Sequence, residues 1–550
     1  MCTTCAEFQP WLSDCQFEGL SGDGGTVESS LPVYSYDQIA SQLTEGYWGG
    51  NSRSFDATIG DTLTVDLTGL TANGQDMARQ ALQAWSDISG LLFSETTDGP
   101  PTSTVVETTD AADTNSTLYS VDVGEDFEGS IGNQFDRDRV AVSLVAGQSV
   151  TISMESDDRA GNSLEDPNLR LLDGTGNVLA SSDDVIGNNS LIAFEAPSTG
   201  TYYIEAGSWN DSGVGDYRVE VRPQISSPDI IFDDENSGAY AQSWVSGSTI
   251  TQAFINIDDN WAGGSNRTDG YYYQTYLHEI GHALGLGHAG NYNGAATYGV
   301  HNHYQNDSWQ ASVMSYFHQT ENPTIDASFA YVITPQVADI IAVHDLYGAP
   351  DLRTGNDTYG NNATTGTYLD MAFDLSNPVS FAVYDTGGID TFDFADFTSH
   401  QNLDLREETY SDLGGLEGNV GIARGTVIEY GLTGSGNDTI VGNDADNGLS
   451  SSAGTDTISA GLGNDAVSVG AGDDVATGDD GRDLIEGSTG NDSLSGGGDG
   501  DLIFGDDILL ADLISIFPTW TPPNDAQSLL DSGDLLALWD DILLDVYEIA

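Results

Sequence analysis

The chain has 550 residues, with 13 Lys and Arg against 87 Asp and Glu, which gives a formal net charge of −74. Such a charge repels nucleic acids and anionic membranes, so it excludes proteins that bind them through basic surfaces. A hydrophobic fraction of 38% and an aromatic fraction of 9% are enough to build cores, which excludes disorder over most of the length. The acidity is typical of a salt-adapted surface or of a chain that binds divalent cations, and both can hold together.

A chain of this length is expected to form several domains. A short leader precedes them. Residues 1–30 are polar and Gly/Ser-rich, and they contain the three cysteines of the chain, Cys2, Cys5 and Cys15. We interpret this segment as a leader or propeptide, and we expect no disulfide in the folded body. The N-terminus lacks a basic segment followed by an apolar run, so no Sec signal is expected. No stretch approaches the roughly 20 apolar residues of a membrane span, so no membrane insertion is expected.

The next segment, residues 31–97, combines a strand-like alternation with a helical one. Alternating apolar residues run from Thr62 to Leu67, and a helical periodicity follows Asn73. One face of that predicted helix is apolar and holds Met77, Ala81, Leu82, Trp85 and Ile88. The segment therefore predicts the first part of an α+β domain.

Residues 98–228 differ, because short alternating runs such as "RVAVSLVAGQSVTISM" and "TGTYYIEAGSW" are separated by Gly, Asp and Asn turns. This pattern predicts a small antiparallel β-sandwich, and it resembles the bacterial pre-peptidase C-terminal (PPC) domain. The pairs Asp157/Asp158 and Asp183/Asp184 are either calcium ligands or exposed turns. An α/β pattern returns over residues 229–350 and ends in the helix "PQVADIIAVHDLYG". The sandwich is thus predicted to interrupt the α+β domain.

The second α/β segment carries the sequence "HEIGHALGLGH" from His278 to His288. Residues four apart on a helix share a face, so His278 and His282 can point at one metal ion. Gly285 allows the chain to leave the helix in a left-handed conformation and to bring His288 back as a third nitrogen ligand. Three neutral imidazoles with an open position suit catalytic zinc, and Glu279 is placed to take a proton from a metal-bound water.

A second motif, "SVMSY", follows the histidines and contains Met314 and Tyr316. Together the two motifs resemble the metzincin zinc proteases, in which this Met-turn underlies the histidines. The Tyr after the Met resembles serralysins (alkaline proteases) and astacins, and it implies that Tyr316 is a switchable fifth ligand that stabilises the oxyanion. Serralysins usually have Pro after the third histidine, where this chain has Ala289. We interpret the other histidines as structural or surface residues.

From Gly434 the sequence repeats every nine residues, beginning with "GSGNDTIVG". An Asp or Asn recurs eight times in phase, two residues before an apolar residue, and a glycine precedes most of these positions. The apolar series, expected to stack inside, is Ile440, Leu449, Ile458, Val467, Ala476, Ile485, Leu494 and Ile503. The period resembles the RTX parallel β-roll, in which calcium lies between turns that would otherwise repel one another.

The roll resemblance implies a set of calcium ligands in and before the repeats. Upstream, "LRTGNDTYG", "GGIDTFDF" and "TVIEY" resemble further calcium-binding segments of serralysins. The candidate calcium ligands are Arg353, Gly355, Asp357, Gly387, Asp390, Glu429, Gly434, Gly436, Asp438, Asp456, Asp465, Asp474, Asp483 and Asp492.

The sequence therefore predicts a multidomain chain: a leader at 1–30, a metzincin α+β catalytic domain at 31–97 and 229–350 interrupted by an all-β sandwich at 98–228, an RTX parallel β-roll at 351–505, and an acidic tail at 506–550. The resemblance implies a secreted, monomeric zinc endopeptidase that acts on proteins and peptides and uses Zn²⁺ for chemistry and Ca²⁺ for folding. It also implies export by type I secretion machinery that reads the tail. A further hypothesis is that a thiolate of the leader caps the zinc before secretion and keeps the enzyme latent.

Two alternatives remain open at this point. One is a calcium-dependent adhesin whose zinc site is vestigial and whose sandwich binds a polymer. The other is a narrow protease for one partner or surface layer, with the inserted sandwich choosing the target. The complete set of three histidines, Glu279 and Tyr316 argues against the adhesin.

Overall fold

The structure is a computed structural model that describes residues 31–95, 103–156, 163–164, 166–182, 190–223, 228–264, 267–506, 508–517, 519–523, 526–532 and 535–547. The leader with its three cysteines lies outside these residues, as do the pairs Asp157/Asp158 and Asp183/Asp184. Within the described ranges, no helix combines the length and the apolar character needed to cross a bilayer.

The contacts divide the chain into two compact units. Unit 1 takes in the described residues of Met1–Leu63, Gly69–Ser94 and Ile230–Ala550. Unit 2 takes in those of Thr64–Thr68 and Glu95–Asp229, so most of it lies in the chain between two segments of unit 1.

The N-terminal segment contains five elements, of which β2 and α2 lie where the two periodicities predicted a strand and a helix. They are α1 (Tyr36–Ser41), β1 (Ser54–Phe55), β2 (Thr62–Gly69), α2 (Ala72–Ser89) and β3 (Leu92–Glu95). Helix α2 begins because the Thr71 side chain accepts a hydrogen bond from the Gly74 N–H, and it ends at Gly90, which is left-handed with φ 68°. All five apolar residues of its predicted face are buried, which confirms that prediction.

Unit 2 holds two five-stranded sheets that share one apolar core. Val140 and Ile204 enter this core from one sheet, and Ile152 and Val219 enter it from the other. Their orders are β10-β9-β12-β7-β5 and β11-β8-β13-β6-β4, with neighbours antiparallel except at β5–β7 and β4–β6. The strands are β4 (Thr104–Val106), β5 (Ser120–Val121), β6 (Asp126–Ile131), β7 (Asp138–Leu144), β8 (Ser149–Ser156), β9 (Pro167–Leu172), β10 (Val178–Ser182), β11 (Ser190–Glu195), β12 (Gly200–Ser208) and β13 (Gly215–Pro223).

The chain after unit 2 builds a small sheet and two helices. Strand β16 pairs in parallel with β1 and β14 and antiparallel with β15. The Trp85 indole of α2 donates to the Leu277 carbonyl of α3 at 3.0 Å, which joins these two helices. The elements are β14 (Ile230–Asp233), β15 (Ala239–Ser246), β16 (Thr249–Ile257), α3 (Tyr271–Ala283), β17 (Tyr331–Val332) and α4 (Val337–Tyr347).

The nine-residue repeat forms two parallel sheets from alternate units. Paired strands are 18 residues apart, as Ile440 and Ile458 show in one sheet and Leu449 and Val467 in the other. One sheet has seven strands, β18 (Thr358–Gly360), β20 (Thr391–Phe394), β24 (Tyr430–Thr433), β26 (Gly448–Ser450), β28 (Ala466–Ser468), β30 (Leu484–Glu486) and β32 (Leu502–Phe504). The other has five, β21 (Asn402–Asp404), β25 (Thr439–Val441), β27 (Thr457–Ser459), β29 (Val475–Thr477) and β31 (Ser493–Ser495). A separate sheet joins β17 to β19 (Val379–Val383), β22 (Tyr410–Ser411) and β23 (Val420–Ile422).

The apolar residues expected to stack inside are buried in the first six of the eight repeat units but not in the last two. The first six of its residues, from Ile440 to Ile485, are at most 2% exposed. Leu494 is only partly buried, and Ile503 is 43% exposed, so the expectation is wrong for Ile503. The physical reason is that β31 and β32 are the last strands of their sheets, so no further coil covers them.

The tail forms three helices, α5 (Leu510–Ile516), α6 (Ala526–Ser532) and α7 (Leu535–Tyr547). Their apolar residues share a buried cluster with Ala466 and Leu484, the outward-facing first residues of β28 and β30. The Trp539 indole of α7 donates to the Arg482 carbonyl at 2.7 Å. The amphipathic pattern of the tail therefore serves packing against one sheet of the repeat.

Candidate zinc and calcium sites

Helix α3 places His278 and His282 one turn apart, and the chain then returns His288 to them. Gly285 has φ +109°, and a Cβ there would lie 2.1 Å from the Arg53 carbonyl oxygen, so the turn requires glycine. The ring centroids lie 4.7 Å apart for His278 and His282 and 4.5 Å apart for His282 and His288. The structure thus brings the three predicted ligands together, with ligand atoms within 4.8 Å of one another.

Backbone carbonyls orient two of these rings. The Nδ1 of His278 lies 2.9 Å from the Val313 carbonyl oxygen, and the Nδ1 of His282 lies 2.8 Å from that of Leu286. A carbonyl accepts, so each Nδ1 carries the proton and each Nε2 keeps a free lone pair. The Nε2 atoms of His282 and His288 are 3.0 Å apart.

Burial keeps the three imidazoles uncharged. It lowers the pKa of His278 to about 4 and, together with His278, the pKa of His282 to about 3. Burial, followed by the neighbouring His282 and His278, also takes the pKa of His288 well below its usual value. Neutral nitrogens that converge in a buried group are the donor set that Zn²⁺ prefers, so these residues fit the ion.

A cavity of about 80 Å³ opens beside the histidines. His278, Glu279 and Tyr316 line it, together with the apolar residues Trp309 and Val313. Glu279 is 5% exposed. The Tyr316 ring lies 4.5 Å from that of His288, and the Gly294 N–H donates to its hydroxyl at 3.4 Å. The predicted catalytic pair therefore lines the same cavity as His278.

Met314 is fully buried against the face of α3 that carries the ligands. A Cβ on Gly281, the residue before His282, would lie 2.6 Å from the Met314 sulfur. The Met314 sulfur therefore lies beside the turn of α3 that contains Gly281.

Two buried carboxyl groups that the sequence analysis missed hold the Met-turn. Asp307 accepts from the Ser315 hydroxyl at 2.7 Å and from the Tyr292 hydroxyl at 3.1 Å, and Tyr292 lies 4.8 Å from Tyr316 ring to ring. Asp339 accepts from the Ser312 hydroxyl at 2.6 Å and from the Val313 N–H at 2.7 Å. Burial raises the pKa of Asp307 to about 7 and that of Asp339 to about 6. Neither belongs to a spaced motif, so no sequence signal marked them.

Upstream of the repeat, the structure brings Asp357 and Asp390 together with Asp385, which the sequence analysis missed. The Asp390 N–H donates to a Glu429 carboxylate oxygen at 2.7 Å, so the predicted Glu429 joins them. Burial raises the pKa of Asp390 to about 7, and its Oδ2 has no protein partner. Asp385 precedes the glycine pair Gly387–Gly388, and this turn signal could have pointed to it.

Arg353 and the glycines among the candidates can offer a cation only backbone oxygens. The Arg353 guanidinium donates to the Tyr384 carbonyl at 2.7 Å and pairs with Asp87 at 3.1 Å. The Gly387 N–H donates to Asp385 at 3.2 Å. A Cβ on Gly388 would lie 2.1 Å from the Gly355 carbonyl oxygen, so the backbone segments at Gly355 and Gly388 pass very close to each other.

Within the repeat, the Asp residues form two ladders. From Asp456 onward each Asp uses Oδ1 to accept the N–H of the residue 18 positions earlier, as Asp456 does from Asp438 at 2.7 Å. Asp438 itself accepts from the Gln401 N–H at 2.8 Å. The other oxygen, Oδ2, is buried without a protein partner in Asp438, Asp456, Asp465, Asp474 and Asp483. Buried oxygens without a donor suit a hard cation such as Ca²⁺, so these residues fit calcium. Asp492, which accepts from the Asp474 N–H, is only partly buried, and Gly434 and Gly436 lie in the turn that starts the ladder.

Unit 2 contains a third group that the sequence analysis did not predict, formed by Glu107, Asp110 and Asp138. Asp138 is fully buried and accepts from the Tyr217 hydroxyl at 2.7 Å. Burial raises the pKa of Asp138 to about 8, and the negative charge of Glu107, Asp136 and Asp110 adds to the effect. Glu107 and Asp110 lie in the segment after β4 and Asp138 begins β7, so spacing along the chain gives no sign that the three meet.

Three family models match the chain. Residues 216–313 match a model described as "Matrixin", residues 349–507 match "Peptidase M10 serralysin C terminal", and residues 136–208 match "Bacterial pre-peptidase C-terminal domain". The three motifs that carried the resemblances in the sequence, the histidines, the repeat and the alternating runs, lie within these ranges.

Curated relatives agree with these models. The chain is 41% identical over 231 residues to "Serralysin" of Photorhabdus laumondii, a match that covers 40% of this chain and 47% of that protein. It is 45% identical over 171 residues to "Serralysin C" of Dickeya chrysanthemi, with 30% of this chain and 36% of that one covered. It is 44% identical over 181 residues to "Metallopeptidase AprA" of Pseudomonas marginalis, with 32% and 38% covered.

The chain thus spans about half the length of the curated relatives that it matches. Three separate models and relatives at these identities nevertheless agree on one kind of protein. The chain is therefore similar to the serralysins over the segments matched, and it carries a PPC-like region at residues 136–208.

Proposed function

We propose that the chain is a secreted zinc-dependent endopeptidase that hydrolyses internal peptide bonds of extracellular proteins. The observation that carries the proposal is the convergence of three uncharged imidazoles, with Glu279 and Tyr316 beside them. The Nε2 atoms of His278, His282 and His288 would hold the zinc ion. Zinc, when bound, supplies a Lewis acid and brings the pKa of water down to about 7.

The residues of the chain itself perform the proton transfers and position the substrate. The Glu279 carboxylate takes a proton from the attacking water and returns it to the nitrogen of the leaving amine. The Tyr316 hydroxyl donates a hydrogen bond to the oxygen of the scissile carbonyl as negative charge develops there. The apolar walls of the cavity, Trp309 and Val313, exclude water and strengthen both interactions.

Casein hydrolysis by the purified full chain, supplied with Zn²⁺ and Ca²⁺, tests the proposal. We expect activity that a zinc chelator removes and that added zinc restores. Glu279→Ala should be inactive while it still binds one zinc ion per chain. A full-length protein that binds zinc and cleaves neither casein nor a peptide library would instead favour the adhesin alternative.

We further propose that Ca²⁺ folds residues 351–505 into an RTX β-roll and that the ladder carboxylates are its ligands, together with the group from Asp357 to Glu429. Orphaned, buried Oδ2 atoms in five repeat residues support this assignment. Circular dichroism of the full-length Glu279→Ala variant, which cannot digest itself, checks it. The spectrum should gain β-structure as calcium is added, and a spectrum that calcium leaves unchanged would contradict the calcium role.

The domain boundaries, the route of export and the oligomeric state complete the proposal. We assign residues 31–97 and 229–350 to the catalytic domain, 98–228 to the inserted PPC-like sandwich, 1–30 to a leader and 506–550 to a tail read by type I secretion machinery. The active form is a monomer. Secretion of the full chain, compared with a chain that lacks residues 506–550, tests the role of the tail.

A further inference from the structure

One residue of the repeat, Asn447, is an amide in a position that carboxylates occupy elsewhere. Along one edge of the coils, residues 18 positions apart follow one another as Glu429, Asn447, Asp465, Asp483 and Asp501. Their backbones continue the same ladder, because the Asn447 N–H donates to Asp465 Oδ1 at 2.7 Å just as the Asp465 N–H donates to Asp483 Oδ1 at 2.9 Å. Asn447 therefore occupies a regular coil, and only its side chain departs from the pattern.

The Asn447 side chain is fully buried, and both of its polar atoms are satisfied within the protein. Its Nδ2 donates to the Glu429 carbonyl at 3.2 Å and to the Ile428 carbonyl at 3.3 Å. Nδ2 also lies 3.1 Å from the side-chain oxygen of Asn443, and Oδ1 accepts from the Asn443 N–H at 2.8 Å. The Asn443 side chain in turn donates to the Ile428 carbonyl at 2.8 Å.

The next coil shows what this turn looks like without the amides. Eighteen residues on, Asn443 is replaced by Gly461 and Asn447 by Asp465. The Asp465 Oδ2 is buried with no protein partner. One turn thus leaves a buried carboxyl oxygen without a hydrogen-bond donor, and the other fills the same place with N–H groups.

An N–H group that already points at two carbonyl oxygens cannot coexist with a cation on those oxygens. We infer that the turn at Asn447 is closed without calcium and divides the ions of this edge into two groups. The first group lies at Asp357, Asp385, Asp390 and Glu429, and the second begins at Asp465. The inference rests on the proposed calcium role of the repeat and is independent of proteolysis.

Counting calcium in the purified full chain tests this division. The inactive Glu279→Ala protein, saturated with Ca²⁺ and freed of excess, is analysed for calcium by elemental mass spectrometry. In this background Asn447→Asp removes the donor and supplies an oxygen, so it should bind one more calcium ion per chain. Asn437→Asp is the matched control, because it adds the same charge at an exposed amide of the same coils and should bind the same number as the parent.

Asn447→Ala is the second variant, and it creates no new oxygen ligand for calcium. It should keep the calcium number of the parent but melt at a lower temperature, because the Glu429 and Ile428 carbonyls lose a donor. A calcium number that falls by one in Asn447→Ala would show that Asn447 is a ligand and would overturn the inference. No extra calcium in Asn447→Asp would also overturn it, whereas a parent that binds no calcium would refute the proposed calcium role instead.

Discussion

The Nε2 atoms of His282 and His288 lie 3.0 Å apart, although burial keeps both rings uncharged. Two lone pairs at this distance repel each other unless a shared cation or proton lies between them. Tetrahedral zinc with Zn–N bonds of about 2.0–2.1 Å places its nitrogen ligands roughly 3.3 Å apart. The distance between the two Nε2 atoms is therefore close to that between two nitrogen ligands of one tetrahedral zinc ion.

Glu279→Gln should reduce kcat by about 10²–10⁴-fold, because the amide cannot accept the proton of the attacking water. The change keeps the size of the side chain and leaves the three histidines in place, so the zinc content should stay at one per chain. Steady-state hydrolysis of a quenched peptide and elemental analysis of the same sample measure both quantities. Glu235→Gln, at an exposed position, is the matched control and should retain full activity.

Tyr316→Phe should lower kcat by about 10²–10³-fold with little effect on KM, because the hydrogen bond to the developing oxyanion is lost. The ring contacts with His288 and Tyr292 do not involve the hydroxyl and should persist. Equal zinc content and an unchanged melting temperature would show that the loss is catalytic. A kcat that matches the parent would mean that Tyr316 is a packing residue.

Gly281→Ala should destabilise the protein by about 1–3 kcal/mol and weaken zinc binding. The new methyl group would lie 2.6 Å from the Met314 sulfur and 3.1 Å from the Trp85 ring, so α3 has to move relative to the Met-turn. Calorimetry and a zinc titration with a competing chelator give the two effects. Gly270→Ala, at the start of the same helix, meets nothing closer than 3.7 Å and should leave both unchanged.

The stability of unit 2 should fall as pH rises from about 4 to 8. Burial raises the pKa of Asp138 from 3.8 to about 8, so the folded state keeps a proton that the unfolded chain releases near pH 4. The stabilisation is complete below pH 4 and is lost as pH rises through 8, by an amount on the order of 5 kcal/mol. Hydrogen exchange of β7 and β13 in the full chain reports the change.

Asp138→Asn removes this titration while it keeps an oxygen that can accept from the Tyr217 hydroxyl. Protection of β7 and β13 in the variant should vary much less between pH 5 and pH 8, after correction for intrinsic exchange rates. Asp122→Asn, at an exposed position, should retain the pH dependence of the parent. Equal pH dependence in Asp138→Asn and the parent would assign the effect to another group.

The histidine motif and the repeat could be predicted because each depends on a fixed spacing along the chain. A helix turn determines that His278 and His282 meet, and a coil of two nonapeptides determines that Asp456 follows Asp438. Asp307, Asp339 and Asp385 contribute through contacts that join distant segments, and spacing carries no information about these. The exposure of Ile503 escaped prediction for a related reason, since a repeat pattern does not show where stacking ends.

The packing of the tail on the repeat has a consequence for the order of assembly. Helix α7 rests on Ala466 and Leu484, and these two side chains become neighbours only when successive coils are in register. The tail helices therefore cannot pack until these coils have formed. The Trp539 side chain, which is 1% exposed in the folded chain, becomes buried when they do. A change in the fluorescence of Trp539 should therefore report when the tail has packed on the repeat.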